Sequence, residues 1–368
     1  MDKGLYIHIP FCIRKCRYCD FPSYTGMESL FDSYLDALLV EAKLYKGEKI
    51  DTVFIGGGTP SILSCEQIKR LLVGIRDNFQ FSENIEFSVE ANPGTLTEEK
   101  LATLKDGGVN RLSIGVQSFS NSELKTIGRI HDGRVAAEAV ELSKKYFDNI
   151  NIDIMTALPG QTADSLEKTL DTALSLGVTH ISCYSLILEE GTELYNMVEN
   201  GQVTPAGEEE DRQMYSLICS KLKSAGYEHY EISNFAKEGF RCRHNLKYWN
   251  TQEYIGLGAA AHSFVGNKRF SNTVNVKDYI RNPIEKAEEA ELSLSDMMGE
   301  YCMMSLRTKD GIDEKEFEKR FGKSFYEIYK NLPDKFISLG LMKKNPQGYS
   351  LTPRGINVSN SIMCEFLL

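Results

Sequence analysis

The chain has one tryptophan among its 368 residues, no apolar run long enough to span a membrane and no low-complexity segment. It also lacks an excess of positive charge, because 52 acidic residues against 42 basic ones leave a net charge of −10. Nonspecific nucleic-acid binding needs a basic face and is therefore not expected. An integral membrane protein is not expected either, since a spanning helix needs about 20 apolar residues.

A secretory signal is also missing from the start of the sequence. The charged pair Asp2-Lys3 leads into only a few apolar residues before Arg14 and Lys15. We therefore expect a cytoplasmic protein. In a reducing cytosol, clustered cysteines bind metals or react and do not form disulfides.

Three of the nine cysteines, Cys12, Cys16 and Cys19, are clustered near the start of the chain. Such a C-x3-C-x2-C loop supplies three thiolates, and a four-iron cluster held by only three thiolates keeps one iron open for another ligand. A zinc site would want a fourth ligand nearby, and the next histidine after the loop is His131. An iron-sulfur cluster is the favoured interpretation and zinc is the alternative.

Six short runs rich in β-branched residues alternate with helical patterns. Strands are predicted at Leu5-Ile9, Thr52-Ile55, Ile85-Val89, Arg111-Val116, Ile150-Ile154 and His180-Leu186. Helices are predicted at roughly 28–45, 66–78, 97–106, 133–146, 163–176 and 208–225. Repeated strand-helix units form right-handed crossovers and a parallel sheet. The sequence therefore predicts an α/β fold with a partial (β/α)6 TIM-like barrel.

The predicted strands carry polar residues on the face that would point into the barrel, which is normally filled by Val, Ile and Leu. These polar residues are Tyr6, His8, Ser88, Glu90, Arg111, Ser113, Gln117, Asn151 and Asp153. Burying such groups without partners costs about 1–3 kcal/mol each. The lumen should therefore hold a polar ligand or ordered water, although a solvent-facing sheet would explain one or two of the strands.

Glu90, Gln117 and the glycines 56–58 fall at the carboxyl ends of their strands, the edge at which barrel enzymes build their sites. The cysteine loop opens on the same rim. The glycine segment lacks the lysine of a P-loop and the spacing of a dinucleotide fingerprint. Glycines do let a ligand approach the backbone, so a pocket for a small zwitterion is predicted here.

Several motifs along the chain resemble those of one family. They are Tyr6-Ile-His-Ile-Pro-Phe-Cys12, Gly56-Gly-Gly-Thr-Pro60, Glu90-Ala-Asn-Pro93, Ile114-Gly-Val-Gln-Ser-Phe119, Asn151-Ile-Asp-Ile154 and Leu158-Pro-Gly-Gln-Thr162. Together they resemble the radical S-adenosylmethionine (SAM) enzymes of the oxygen-independent coproporphyrinogen III oxidase group. The resemblance implies that Cys12, Cys16 and Cys19 hold a [4Fe-4S] cluster whose open iron binds SAM.

The resemblance also assigns residues to SAM. Those flanking its methionine end would be Tyr6, Gly57, Gly58 and Thr59, with Tyr18 near the adenine and Glu90 on the ribose hydroxyls. Gln117, Arg129 and Asp153 match further SAM-contacting positions, although Arg129 also fits an ordinary surface charge. In this chemistry one electron, from a donor such as flavodoxin or ferredoxin, cleaves SAM to a 5'-deoxyadenosyl radical.

Two branches of the group differ in function. The oxidase branch decarboxylates coproporphyrinogen III and carries a further cysteine where this chain has Phe21, as well as a longer segment ahead of the first strand. The heme-chaperone branch, HemW, has Phe there and an H-N-x-x-Y-W motif, like the run His244-Asn-Leu-Lys-Tyr-Trp249. The resemblance thus implies a heme chaperone that serves acceptor proteins. The alternatives are the oxidase and a radical enzyme acting on an unrelated small molecule.

The H-N-x-x-Y-W motif suits heme in its chemistry. A neutral imidazole is a usual axial ligand of heme iron, Tyr248 and Trp249 offer flat apolar surface, and Arg241 and Arg243 would pair with propionates. The alternative is a structural histidine in an aromatic core. With the resemblance, His244, Tyr248 and Trp249 are predicted to contact heme carried as cargo.

The chain is predicted to divide into a barrel over 1–230, a connecting segment with the motif over 231–290 and a small C-terminal unit over 291–368. Helical patterns at Leu294-Arg307, Asp313-Phe321 and near Leu332-Leu339, with a hairpin over 341–351, favour a winged-helix-like unit. Its charges nearly balance, so a cap or docking module is expected here, not a DNA reader.

Overall fold

The computed structural model of the protein describes residues 2–368, and its main feature is one large sheet. The twelve strands of this sheet within the described residues are β1 (Lys3–Ile9), β2 (Lys49–Gly57), β3 (Gln80–Ala91), β4 (Arg111–Gln117), β5 (Asn149–Thr156), β6 (His180–Ser185), β7 (Glu228–Glu231), β8 (Asn234–Ala236), β9 (Tyr254–Leu257), β10 (His262–Val265), β11 (Lys268–Asn272) and β12 (Lys286–Glu291). Strands β1 to β6 are parallel neighbours in sequence order. The predicted α/β barrel is confirmed.

Helices cover the outside of the sheet and form most of the C-terminal part. Those in the described residues are α1 (Phe31–Ala42), α2 (Cys65–Asn78), α3 (Glu98–Asp106), α4 (Asn121–Thr126), α5 (Gly133–Lys144), α6 (Ala163–Ser175), α7 (Glu193–Glu199), α8 (Glu208–Ser224), α9 (Arg243–Trp249), α10 (Val276–Arg281), α11 (Leu294–Ser305), α12 (Glu314–Phe321), α13 (Phe325–Tyr329), α14 (Leu332–Ser338), α15 (Pro353–Ile356) and α16 (Ser359–Cys364). None of them combines the length and apolar character needed to cross a membrane.

The crossover helices begin where their sequences provide caps. Ser64 and Gln67 form a reciprocal capping box at the start of α2, and the Asp132 side chain accepts the backbone N–H of Val135 at the start of α5. All six predicted crossover helices are present. The short helices α4 and α7, each of six or seven residues, were not predicted.

The alternation along the strands sorts side chains between the two faces of the barrel wall. On β4, Leu112, Ile114 and Val116 are fully buried among the apolar residues of the main core. Arg111 and Ser113, which alternate with them on the other face of the strand, line an internal cavity. The polar lumen predicted from the sequence is therefore present.

Both edges of the barrel are extended by strands that the sequence did not predict. β9 pairs in parallel with β1, and β10, β11 and β12 continue from it as antiparallel strands. At the other edge, β8 pairs antiparallel with β6, and β7 pairs antiparallel with β8. Much of the range 231–290 thus belongs to the same sheet, while the predicted division at 230 and 290 stays a prediction.

A buried carboxylate ties the β9 extension to the barrel. Glu41 of α1 has no solvent exposure. It accepts hydrogen bonds from the backbone N–H of Gly258 at 2.9 Å and from the hydroxyl of Tyr279 at 2.6 Å. Lys286 on β12 pairs with it at 3.0 Å. The extension is therefore fixed to the barrel by charge and hydrogen bonds as well as by strand pairing.

The C-terminal part has a core of its own, in which Phe317 and Phe366 are fully buried. Three short strands, β13 (Ile312–Asp313), β14 (Met342–Lys344) and β15 (Gly348–Leu351), form an antiparallel sheet in the order β13-β15-β14. The predicted helices correspond to α11, α12 and α14, and the predicted hairpin to β14 and β15. This arrangement matches the winged-helix-like unit expected from the sequence.

Candidate functional site

The cysteine loop is fixed to the barrel rim by backbone hydrogen bonds. Cys12 N–H donates to the carbonyl of Tyr24 at 2.9 Å, which closes the loop on itself. Thr59 N–H, just beyond β2, donates to the carbonyl of Phe11 at 2.8 Å. The loop after β1 and the glycine segment after β2 are therefore held together, as the rim prediction requires.

Each of the three sulfur atoms has a polar neighbour. The Thr59 hydroxyl donates to Cys12 Sγ at 3.6 Å, Arg129 Nη1 donates to Cys16 Sγ at 3.3 Å, and Ser23 Oγ lies 3.9 Å from Cys19 Sγ. Burial raises the pKa of the Cys12 and Cys19 thiols, so these donors alone do not hold thiolates. A bound metal centre deprotonates its thiol ligands, and donors around the sulfurs then tune it.

Three thiolates from one loop suit a four-iron cluster that keeps one iron open. No three His, Cys, Asp or Glu side chains in residues 2–368 are grouped as ligands of one metal ion. The thiolates of a four-iron cluster bind different irons and need not converge on one point. Cys12, Cys16 and Cys19 would hold such a cluster here, and the cluster would supply one-electron chemistry when bound.

Arg129 lies within the rim and is not a surface charge. Besides contacting Cys16, its Nη2 donates to Asn92 Oδ1 at 2.9 Å and to the carbonyl of Gly115. These contacts link the cluster loop to the ends of β3 and β4. The assignment of Arg129 to SAM stays a prediction.

Gln117, at the end of β4, has a strained backbone. Its φ of 69° lies in the left-handed region, which costs a residue other than glycine about 1–3 kcal/mol. Its Oε1 accepts a hydrogen bond from the Tyr184 hydroxyl at 3.0 Å. Strain of this kind clusters at functional sites. Tyr184, at the end of β6, was missed because nothing in the sequence separates it from other strand tyrosines.

The rim glycines are required by the close approach of the chain itself. Gly57 has a φ of 107°, and a side chain there would collide with the ring of His8. A Cβ on Gly58 would lie 2.6 Å from the carbonyl oxygen of Phe11. The glycines therefore allow the cluster loop to pack on β2. Their predicted contact with SAM stays a prediction.

A histidine orients Tyr6 on β1. The Tyr6 hydroxyl lies 2.8 Å from His8 Nδ1, and His8 Nε2 lies 2.9 Å from the carbonyl oxygen of Pro22. Burial lowers the pKa of His8, so its ring is neutral. Because a carbonyl only accepts, the ring proton is on Nε2 and the Tyr6 hydroxyl donates to Nδ1. The tyrosine oxygen then keeps its free lone pairs for the lumen.

A cavity of about 200 Å³ lies in the lumen. It is lined by Tyr6, Phe54, Glu90, Arg111, Ser113, Asn151, Asp153, Ser182, His244, Asn245 and Tyr248. It thus brings together three residues predicted for SAM and two predicted for heme. Phe54 and Ser182 were not predicted, since no motif marks them. Asn245 belongs to the H-N-x-x-Y-W motif, but no role was predicted for it.

Glu90 is the titratable group at the upper wall of this cavity. Its Oε2 accepts the backbone N–H of Gly57 at 3.1 Å. Burial, reinforced by the nearby charge of Asp153, raises the pKa of Glu90 to about 7. The carboxyl group is therefore partly protonated near neutral pH in the absence of a bound cation.

The raised pKa of Glu90 predicts a pH-dependent stability. The folded protein holds this proton more tightly than the unfolded chain, in which the pKa of the Glu90 carboxyl is 4.5. The resulting stabilisation is complete below about pH 4.5 and is lost as the pH rises through about 7. Between pH 5 and pH 8 the free energy of unfolding should fall less in Glu90→Gln than in the wild type. The two falls should differ by on the order of 2 kcal/mol.

Urea unfolding at the two pH values measures this difference. Glu99→Gln, which changes an exposed carboxylate on α3, is the control and should keep the wild-type pH dependence. A Glu90→Gln protein with the wild-type pH dependence would show that Glu90 does not titrate in this range.

The H-N-x-x-Y-W helix α9 closes the lumen at the amino-terminal ends of the strands, opposite the cluster loop. His244 is 2% exposed. Its Nδ1 lies 2.9 Å from Thr52 Oγ1 and its Nε2 lies 2.9 Å from the Tyr248 hydroxyl. Burial, with the nearby charges of Lys247 and Arg111, lowers the pKa of His244 to about 3, so the imidazole is neutral. Both of its nitrogens are engaged within the protein.

The other residues predicted for heme lie apart from the cavity. Trp249 packs under the guanidinium of Arg307, whose carbon lies 4.4 Å from the ring centre. Arg241 is paired with Glu228 at 2.6 Å, and Arg243 is exposed and donates to the carbonyl of Asn84. The structure therefore groups His244 and Tyr248 but does not bring Trp249 or the two arginines to them.

Two family models match the chain. The radical SAM superfamily matches residues 6–173, and the HemN C-terminal domain matches residues 292–358. The first match covers the cluster loop, Glu90, Gln117, Arg129 and Asp153. The second covers most of the winged-helix-like unit.

Similar proteins extend over the whole chain. The heme chaperone HemW of Lactococcus lactis is 38% identical over 100% of this chain and 97% of its own length. HemW of Bacillus subtilis is 39% identical over 99% of both chains. The structure of coproporphyrinogen III oxidase (HemN) of Escherichia coli, a radical SAM enzyme, matches with a TM-score of 0.87. It is 23% identical, over 100% of this chain and 90% of HemN, which shows a shared fold. This chain therefore belongs to the radical SAM superfamily and, within it, to the HemW family.

Proposed function

We propose that this protein binds heme as cargo and transfers it to acceptor proteins. The observation that carries the proposal is the similarity to HemW proteins, which runs through the barrel, α9 and the C-terminal unit without a missing part. The coproporphyrinogen oxidase shares the fold at 23% identity. A shared fold does not fix a reaction, because function depends on the site.

The cluster loop supports the chaperone over the oxidase. Phe21, at the position where the oxidase branch carries a further cysteine, is 66% exposed beside the loop. No thiol beyond the three cysteines of the loop is therefore available from this segment. An exposed phenylalanine also offers apolar surface, as a macrocycle or a protein partner would use.

The cofactors of the proposal are a [4Fe-4S] cluster and SAM. Cys12, Cys16 and Cys19 would hold the cluster, and the rim residues around Glu90 and Arg129 would hold SAM. Reduction of the cluster would need a donor such as flavodoxin or ferredoxin. Since the free thiols must stay reduced, the cytoplasm is the proposed location.

Two measurements on one anaerobically reconstituted preparation test the function. A heme titration followed by absorption should show tight stoichiometric binding, and an assay with coproporphyrinogen III should show no decarboxylation. Heme binding without turnover excludes the oxidase. Formation of harderoporphyrinogen or protoporphyrinogen would contradict the proposal and support the oxidase.

Axial ligation by His244 is a further part of the proposal, and the geometry sets a condition for it. Since Tyr248 and Thr52 occupy both nitrogens, one of these hydrogen bonds must break before the imidazole binds iron. We expect His244→Ala to change the absorption spectrum of bound heme and to weaken binding about tenfold or more. The control Thr52→Val removes one hydrogen bond and keeps the imidazole, so its spectrum should match the wild type. An unchanged spectrum in His244→Ala would assign the histidine to the lumen wall alone.

A further inference from the structure

The guanidinium of Arg111 lies inside the protein, and its Nε finds no acceptor in the part of the chain that the structure describes. Arg111 begins β4, is 2% exposed and lines the lumen cavity. Its Nε is buried and has no hydrogen-bond partner among residues 2–368. Charged neighbours such as Glu86 and Asp153 act on it through space only. Burying a charged donor without a hydrogen bond costs folding free energy, so a role for this side chain beyond packing should be sought.

The carboxylates near Arg111 are already used by other groups. Glu86 accepts the backbone N–H groups of Arg243 and His244, both at 2.9 Å. Asp153 accepts Nδ2 of Asn151 at 2.7 Å. Both carboxylates act on the guanidinium as charges, without a hydrogen bond to it. The side of the guanidinium that lines the cavity is therefore available to a molecule there.

We propose that Arg111 binds a carboxylate group of a ligand in the lumen, at a subsite separate from the Glu90 wall. The planar guanidinium offers paired N–H donors that match the two oxygens of a carboxylate. The cavity measures about 200 Å³. Sites for drug-sized ligands measure about 300–1,000 Å³, so this one has room for a small acid or for a carboxylate-bearing side chain of a larger molecule.

Two sources would provide this carboxylate. One is a propionate side chain of heme, and this source rests on the proposed function. The other is a free short-chain carboxylic acid, which is independent of heme. In both, the carboxylate pairs with Arg111.

The free-acid source is tested by melting the reconstituted protein in sodium propionate and in sodium chloride of equal ionic strength. Propionate should raise the melting temperature of the wild type and of the control Arg134→Gln, which changes an exposed arginine on α5. It should have no effect on Arg111→Gln. Arg111→Lys should retain part of the shift, because an ammonium keeps the charge without the paired donors.

The heme source is tested by titration with heme and with heme dimethyl ester, in which both propionates are blocked. Heme should bind to the wild type at least about tenfold more tightly than the ester does, the usual size of a charged hydrogen bond. In Arg111→Gln the two affinities should be equal.

A propionate effect that depends on Arg111 supports the subsite with a free acid as its ligand. A preference for heme over its ester that depends on Arg111 supports the subsite with a heme propionate as its ligand. If propionate has no effect and the ester binds as tightly as heme, the cavity holds ordered water only and the proposal is wrong. Negative results in both wild-type comparisons overturn the proposal even if the Arg111 variants do not fold. If the wild type binds no heme, the proposed function fails while the propionate experiment still tests Arg111.

Discussion

Replacement of Cys16 by alanine should abolish the iron-sulfur absorption and all cleavage of SAM. Two thiolates from one short loop do not hold a four-iron cluster, and Arg129 would lose the sulfur to which it donates at 3.3 Å. The fold should persist, because the loop is attached to the barrel through backbone bonds of Cys12, Phe11 and Thr59. Iron analysis after anaerobic reconstitution, with a SAM cleavage assay, measures the effect.

Two variants give this experiment its controls. Cys65→Ala removes a cysteine at the start of α2, outside the loop, and should keep full iron content. Thr59→Val removes only the hydroxyl that donates to Cys12 and should weaken cluster retention about 10- to 100-fold without abolishing it. A Cys16→Ala protein with full iron content would show that another residue completes the metal site.

Replacement of Glu86 by glutamine should lower the free energy of unfolding by about 3 kcal/mol, the usual effect of breaking a buried charged contact. Glu86 on β3 is 6% exposed and accepts the first two backbone N–H groups of α9. Glutamine keeps one acceptor oxygen but loses the negative charge. The start of α9 then lacks its anchor, and Arg111 loses a compensating charge.

Denaturant unfolding followed by the fluorescence of Trp249 measures the loss of unfolding free energy with a probe on α9 itself. Trp249 is the only tryptophan of the chain and ends α9. The control Glu83→Gln changes an exposed carboxylate on the same strand and should stay within about 0.5 kcal/mol of the wild type. A loss below about 1 kcal/mol in Glu86→Gln would mean that α9 is held mainly by its other contacts.

The barrel was predictable because its strands and helices carry strong local signals. Runs such as Ile150 to Ile154 alternate cleanly, and caps such as Ser64 mark the beginnings of helices. The rim was predictable for the same reason, since the carboxyl ends of parallel strands meet there. The comparisons confirm the family and the fold, while the individual SAM contacts stay predictions.

The strands beyond β6 were missed because their sequences carry weak patterns. β12 is made of Lys286 to Glu291 and is mostly exposed and charged. Its position depends on pairing with β11 and on the contact of Lys286 with Glu41, 245 residues earlier in the chain. Local pattern carries no information on contacts at that separation.

The sequence also did not reveal which charged side chains are buried or how they are paired. Glu41 and Glu86 look like ordinary surface carboxylates in the sequence, and only the packed structure shows that each anchors a distant segment. Arg111 was expected in the lumen from its place on β4. Among the described residues its Nε has no hydrogen-bond partner, while Glu86 and Asp153 accept hydrogen bonds from other groups. No local sequence pattern reveals such contacts.

The pairing of β1 with β9 has a consequence for how the protein folds. The strand that leads into the cysteine loop is completed on one side by β2 and on the other by residues about 250 positions later. During synthesis the free edge of β1 therefore stays unpaired until β9, about 250 residues later, has been made. Such long-range pairing slows folding and leaves an edge prone to aggregation. The strand that leads into the cysteine loop is thus made long before the strand that covers its free edge.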